Sequence, residues 1–142
     1  MANQHQLDLL KQEIATTWNM WRAEHPGTAI KLNGVDLCEA NLGEVNLAGA
    51  DLSGADLSRA DLNNANLSKA GLAGADLSGA NLAAADLSAA NLSQANLKDA
   101  DLAGANLHGA DLREARLYWA LLEGALITPE QLSQARVVSG SP

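Results

Sequence analysis

The chain is 142 residues long, 47% hydrophobic, and carries 17 acidic against 9 basic residues, a formal net charge of −8. That length suits one domain with a core, but there is no Phe and the aromatics are Trp18, Trp21, Tyr118 and Trp119 alone, so Leu and Ala must fill the interior. The charge disfavours direct binding to nucleic-acid phosphates, the lone Cys38 excludes an intramolecular disulfide framework, and neither a leader pattern nor an apolar run near 18 residues is present; a soluble cytoplasmic protein with no membrane partner is expected.

Residues 1–27 are expected to form a helical cap. In QLDLLKQEIATTWNMWRAEHPG, Leu7, Leu10, Ile14, Trp18 and Trp21 recur at helical intervals, and Pro26-Gly27 ends the pattern. Lys11, Asn19 and Arg22 are expected to face away from the apolar stripe.

Residues 28–127 are a repeat. From Leu32 to Leu122 a Leu stands at every fifth position, giving nineteen units. The residue two before it is Ala at 17 of the 18 positions from Ala40 to Ala125, Val45 being the exception. The residue just before it is Asp or Asn at 15 of the 16 positions from Asp36 to Asp111, Gly71 being the exception. A period of five fits neither regular element: on a helix it winds the Leu residues around every side, and on a strand it sends them to alternate faces. All of them are buried only if the backbone turns a corner every five residues and coils around a common axis. Leu then fills the centre of each level and Ala the space near a corner, while the Asp or Asn oxygen accepts from backbone N–H groups at the turn. Because Asp and Asn alternate freely, the position requires an acceptor and not a charge.

The tandem A-[DN]-L-x-x pattern, plain in ADLSGADLSRADLNNANLSKA, resembles that of the pentapeptide-repeat family, in particular its small cyanobacterial members, over about 100 residues. The resemblance implies an all-β solenoid, a right-handed quadrilateral β-helix with four pentapeptides per coil and Leu and Ala pointing inward. Nineteen repeats then make nearly five coils, a rod roughly 23 Å long at a rise near 4.8 Å per coil. Residues twenty apart stack into columns. Ile30, Val35 and Val45 at Ala positions suggest a wider first coil.

Residues 128–142 are expected to form a short helix and a frayed tail. TPEQLSQA offers Thr128 as N-cap, Pro129 at the first helical position and Gln131 completing a capping box, with Leu132 covering the last coil. The two helical segments cover ends that would otherwise expose apolar surface and unpaired backbone; Leu10, Ile14, Trp18, Trp21 and Leu132 are the cap residues.

No catalytic, cofactor or metal site is expected. His5, His25 and His108 lie in separate segments without metal-ligand spacing, and Ser53, Ser58, Ser68, Ser78, Ser88 and Ser93 follow the central Leu as a solvated face with no base beside them. Cys38 takes an outward position. Tyr118 and Trp119 occupy the two outward positions of a late repeat, either packing against the terminal helix or anchoring a partner.

Some family members resemble duplex DNA and act on type II topoisomerases, so the acidity matters. Of the 13 acids within residues 32–126, eight (Asp36, Asp51, Asp56, Asp61, Asp76, Asp86, Asp101 and Asp111) belong to the turn code, which explains most of the charge. The leading expectation is a non-enzymatic structural or interaction module with a protein partner, itself a monomer or weak dimer. The alternative is a topoisomerase-directed DNA mimic, an inhibitor or protector of gyrase.

Overall fold

The computed structural model describes residues 1–12 and 15–137, so Ile14 lies outside the described residues. Between Lys31 and Arg136 the described chain makes single-residue parallel bridges in place of extended strands. Each joins residues twenty apart: Lys31 to Asp51, Asp51 to Gly71, Gly71 to Asn91 and Asn91 to Asp111 trace one side. Twenty residues are four pentapeptides, so one circuit of the solenoid takes four repeats.

The reason for a corner every five residues is a turn with one fixed geometry. The N–H of each inner Ala donates to the carbonyl of the Leu three residues earlier, as in Ala50 to Leu47 at 3.0 Å. The third residue of this turn, two after the Leu, has a positive φ at every fifth position from Gly34 (70°) to Gly124 (74°). Positive φ at that position marks a type II turn, so all the corners are of one kind.

In a pentapeptide that carries Asp or Asn before its Leu, each backbone N–H has its own kind of acceptor. The Leu N–H donates to the next coil, as Leu52 to the Gly71 carbonyl at 2.7 Å, and so does the third turn residue, as Gly54 to Ala73 at 2.9 Å. The Asp or Asn N–H donates to the coil below, as Asp76 to Ala55 at 2.9 Å, and the Ala N–H closes the turn. The one left is the N–H just after the Leu, which points at no backbone carbonyl. The Asp or Asn side chain takes it: Ser53 N–H donates to Asp51 Oδ1, and Ser68 N–H to Asn66 Oδ1, each at 3.0 Å. An unpaired backbone donor costs about as much as a lost hydrogen bond, which is why the repeat demands an acceptor there.

Inside, the central residues from Leu47 to Leu107 are all 0% exposed, and the Ala residues from Ala50 to Ala105 are 0–1% exposed. Each buried Leu contributes roughly 1.5–3 kcal/mol. Ile30, Val35 and Val45 are likewise buried in the first coils.

The N-terminal segment is two helices, α1 (Gln4–Leu10) and α2 (Ala15–Glu24). Leu10 and Trp18 are buried, and Leu7 and Trp21 pack half-buried against the core. Asn19 and Arg22 do not face away, contrary to the helical-wheel reading. Asn19 donates to the Glu44 carbonyl and accepts from the Asn46 N–H, and Arg22 donates to the carbonyls of Asn46 and Ala48 at 3.1 and 3.0 Å. The first coil has no coil beneath it, so polar side chains of the cap must supply the partners its backbone lacks. Trp18 Nε1 donates to the Asn46 carbonyl at 2.7 Å, and Gln6, only 1% exposed, accepts from Lys31 N–H and donates to the Ala29 carbonyl.

At the other end α3 (Pro129–Gln134) begins at Thr128 with a complete capping box to Gln131. Leu132 packs half-buried against the core. The closure is thinner: Leu121 and Leu126, at positions where inner coils carry Asp or Asn, are 59% and 61% exposed.

Candidate functional site

The outward surface consists of columns of side chains twenty residues apart, and most are chemically plain. The six repeat serines are fully engaged. Their hydroxyls donate to the Asp or Asn oxygen two residues back at 2.6–2.7 Å, at Ser53, Ser58, Ser68, Ser78, Ser88 and Ser93. This donation is the main cause that holds the Asp51 and Asp56 carboxyls below the ordinary carboxylate range. It reinforces the turn and supplies no base to activate an oxygen.

Among the described residues no group of three or more His, Cys, Asp or Glu is placed to hold a metal ion. His5 and His25 flank the Trp21 ring, edge-on and stacked, while His108 lies on the repeat. Cys38 is half-buried; its thiol lies 3.3 Å from Ser58 Oγ, whose own proton goes to Asp56, and its sulfur accepts from Arg59 at 3.6 Å. Arg59 also reaches Glu39 at 3.4 Å, and Cys38 and Glu39 together raise its pKa.

The C-terminal coil is different. Trp119 is 57% exposed and stands at the third turn position with φ 58°, a left-handed conformation that is uncommon for a bulky side chain. Lys98 Nζ lies 5.2 Å from its ring centre, at cation–π distance. Tyr118 is half-buried and interacts with the Arg136 side chain. Arg136 pairs with Glu114 at 2.8 Å, which chiefly raises its pKa. Nearby, Arg113 and Asp111 pair at 2.7 Å, and this contact holds the Asp111 carboxyl low. Gly74, Gln94, Glu114, Arg116 and Arg136 line an open groove of about 550 Å³ along the corner beside this coil. A second groove, of about 500 Å³, runs between Asn106, His108 and the start of α3, with Leu126 and Ile127 on its wall.

Of the residues singled out in the sequence, Leu10, Trp18 and Trp21 meet over the first coil, whereas Leu132 is alone at the far end and Tyr118 and Trp119 stand on the side of the last one. Sequence reasoning passed over Lys98 and Arg136 as partners of the aromatic pair. The twenty-residue register was the signal: Lys98 is the Tyr118 position of the coil below, and Arg116 bridges Arg136.

The model of the family described as pentapeptide repeats matches residues 30–68, 60–99 and 90–128. A pentapeptide repeat protein from Nostoc PCC 7120 is 36% identical over 88% of this chain and 95% of its own, with a TM-score of 0.66. One from the thylakoid lumen of Arabidopsis thaliana is 26% identical over 78% of this chain and 83% of its own, with a TM-score of 0.54. QnrB1, a plasmid-mediated fluoroquinolone resistance protein, is similar at 16% identity and a TM-score of 0.30, over 75% of this chain and 66% of its own, too remote to carry an argument. No curated protein matches the sequence.

Proposed function

The chain belongs to the pentapeptide-repeat family, and we propose that it is a non-enzymatic protein-interaction module: a right-handed, four-sided rod of nineteen repeats in nearly five coils, cytoplasmic, that presents fixed side chains to a protein partner. The bridge spacing of twenty supports four sides per coil. The observation that carries the functional reading is the exposed Trp119 with Lys98 over its ring, the one large aromatic more than half exposed among the described residues. Trp, Tyr and Arg are the residue types in which binding hot spots are enriched, and Tyr118, Arg113 and Arg116 share this coil with it. Mechanistically the action is passive. A side chain whose backbone is locked between two coils gives up little conformational freedom on binding, so contact energy is not spent on ordering.

The test compares proteins captured by the immobilised full chain with those captured by Trp119→Gly. Gly suits the left-handed turn position, so the variant keeps the fold and removes only the ring. A hot spot of about 2 kcal/mol or more corresponds to at least roughly thirtyfold weaker capture. A reproducible partner retained equally by both forms sinks the assignment to this coil, and the absence of any reproducible partner sinks the interaction reading itself.

A further inference from the structure

The bridge register sets Asp36, Asp56, Asp76, Asn96, Arg116 and Arg136 one above another in a single column. Its charge therefore runs from three acids through one neutral residue to two bases along the rod axis. The adjoining column across the corner is Gly34, Gly54, Gly74, Gln94, Glu114 and then Gln134, whose carbonyl accepts from Glu114 N–H. That column changes from small to large at the level where the other loses its acids. Gly74, Gln94, Glu114, Arg116 and Arg136 share one open groove, which shows that the two columns are neighbours. The Arg136–Glu114 ion pair couples the two columns at their last levels, but among the described residues no ion pair links them where Gly74 and Asp76 give way to Gln94 and Asn96, the level at which both columns change.

We propose that this corner is a surface for a second copy of the chain, paired antiparallel about a two-fold axis between the levels of Asp76 and Asn96. Every contact of a two-fold interface occurs twice, so a surface divided into complementary halves is satisfied by itself inverted. With the axis there, Asp36 meets the partner's Arg136, Asp56 the partner's Arg116, and Asp76 the partner's Asn96. The same operation sets Gly54 opposite the partner's Glu114 and Gly74 opposite the partner's Gln94, small against large in each case. A parallel pairing in register, with its axis along the charged column, instead opposes like with like there. Moving the axis to the Asp76 level sets that carboxylate against its own copy, and moving it to the Asn96 level opposes Gln94 to Gln94 and leaves Asp36 unmatched.

The occupant is a second copy and not an acidic peptide, because half of the column is itself acidic and repels such a ligand. One side of a rod this short buries less than the roughly 1,200 Å² of a stable complex, so the dimer is weak, formed at about 0.1–1 mM, and sensitive to salt. The inference uses different columns from the Tyr118 and Trp119 contact and stands without it. It needs only the purified chain, so its failure is separable from that of the partner reading.

The experiment is sedimentation of the full chain across that concentration range at low and high salt. The expected result is a monomer–dimer equilibrium that shifts to monomer as salt rises. Arg116→Asp restores the usual acceptor of this column, whereas Asp56→Arg gives up the acceptor of Ser58 N–H and is expected to lower the melting temperature, so a thermal melt accompanies both and the dimer is compared at a temperature where each variant is folded. Each alone is expected to weaken the dimer at least tenfold, and the two together, exchanging charges across the axis, to restore it. A chain that remains monomeric at low salt throughout overturns the proposal. So does a dimer indifferent to both single changes, or a double variant no better than either.

Discussion

At the scale of the residue, the repeat code is an account of hydrogen-bond donors. Four of every five N–H groups are taken by the coil itself, and the Asp or Asn oxygen takes the fifth. Gly71 is the inner position where that acceptor is missing, leaving Ala73 N–H without its side-chain partner. A Cβ built on Gly71 meets nothing closer than 3.9 Å, and its φ is not positive. Gly71→Asn therefore supplies the acceptor and stiffens the unfolded chain, and is expected to stabilise by about 1–2 kcal/mol in chemical denaturation. Asp at the same place gains less, because Asp51 lies in the column directly below. The turn position obeys a different constraint. Ala84 has φ 57° and Gly54 has φ 66° with nothing within 4 Å, so strain alone separates the two residue types. Ala84→Gly is expected to gain, and Gly54→Ala to lose, about 0.5–1 kcal/mol after the opposing chain-entropy effect. The serine-held Asp51 and Asp56 carry a pH dependence. Their folded pKa values are depressed, so the stability they contribute is complete above the unfolded carboxylate pKa, near 4, and is lost as pH falls through the folded value. Replacing both with Asn keeps the acceptor; the neutral-pH melting temperature should stay put while its decline below pH 4 becomes shallower. An unchanged acid decline argues against this source.

The elements at the two ends solve the same problem unequally. A coil with no neighbour exposes the donors and acceptors that interior coils satisfy with one another, and the N-terminal helices answer with Gln6, Trp18, Asn19 and Arg22. Trp18 is 1% exposed, so Trp18→Phe keeps most of the buried ring and loses the hydrogen bond to Asn46, at an expected cost of about 1–2 kcal/mol. Trp18→Ala removes the ring as well and costs about 3–5 kcal/mol. Equal losses for the two variants would show that the hydrogen bond and not the burial dominates. Apolar periodicity made Leu10, Trp18 and Trp21 legible as a cap, because burial leaves a mark every three or four residues. It misplaced Asn19 and Arg22 for the same reason. A helical wheel sorts residues by polarity, and an uncapped β edge wants polar side chains on the buried side. The Leu, Ala and Asp or Asn positions were legible because one requirement is repeated at each of them. The single geometry of the corners was not, since 11 of the turn residues with positive φ are not glycine and hide a left-handed conformation behind ordinary residue types. Lys98 beneath Trp119 was equally hidden, twenty-one positions away in sequence and one coil away in space.

For the whole molecule, stability is a sum over coils and the interfaces between neighbours, so local opening begins wherever an end is least well closed. The N-terminal end buries Leu10 and Trp18 and pairs the edge groups of the first coil with side chains. The C-terminal end relies on a six-residue helix and the bridge of Arg136 to Arg116, and leaves Leu121 and Leu126 more than half exposed. From Leu32 to Leu107 each central Leu N–H reports directly on the coil above it, because it donates to the residue nineteen ahead. Native-state hydrogen exchange should therefore show a gradient and not a plateau. Protection is expected to be greatest for Leu62 to Leu87, whose donors and acceptors both lie in interior coils, and to fall toward Leu102 and Leu107, which donate to the exposed Leu121 and Leu126. Leu32 and Leu37, under the better-closed end, should exchange more slowly than Leu102 and Leu107 despite being as near a terminus of the solenoid. Uniform protection would mean the rod opens as one unit, and faster exchange at Leu32 would mean the polar cap closes its end less firmly than its hydrogen bonds imply. The gradient also bears on function. A coil that opens more readily holds Tyr118 and Trp119 less rigidly than the interior coils hold their columns, so a substitution that firms the C-terminal closure without touching the aromatic pair, such as Leu121→Asn, which offers the turn acceptor to Glu123 N–H, is expected to slow exchange at Leu102, which donates to residue 121, and to tighten any contact made through Trp119.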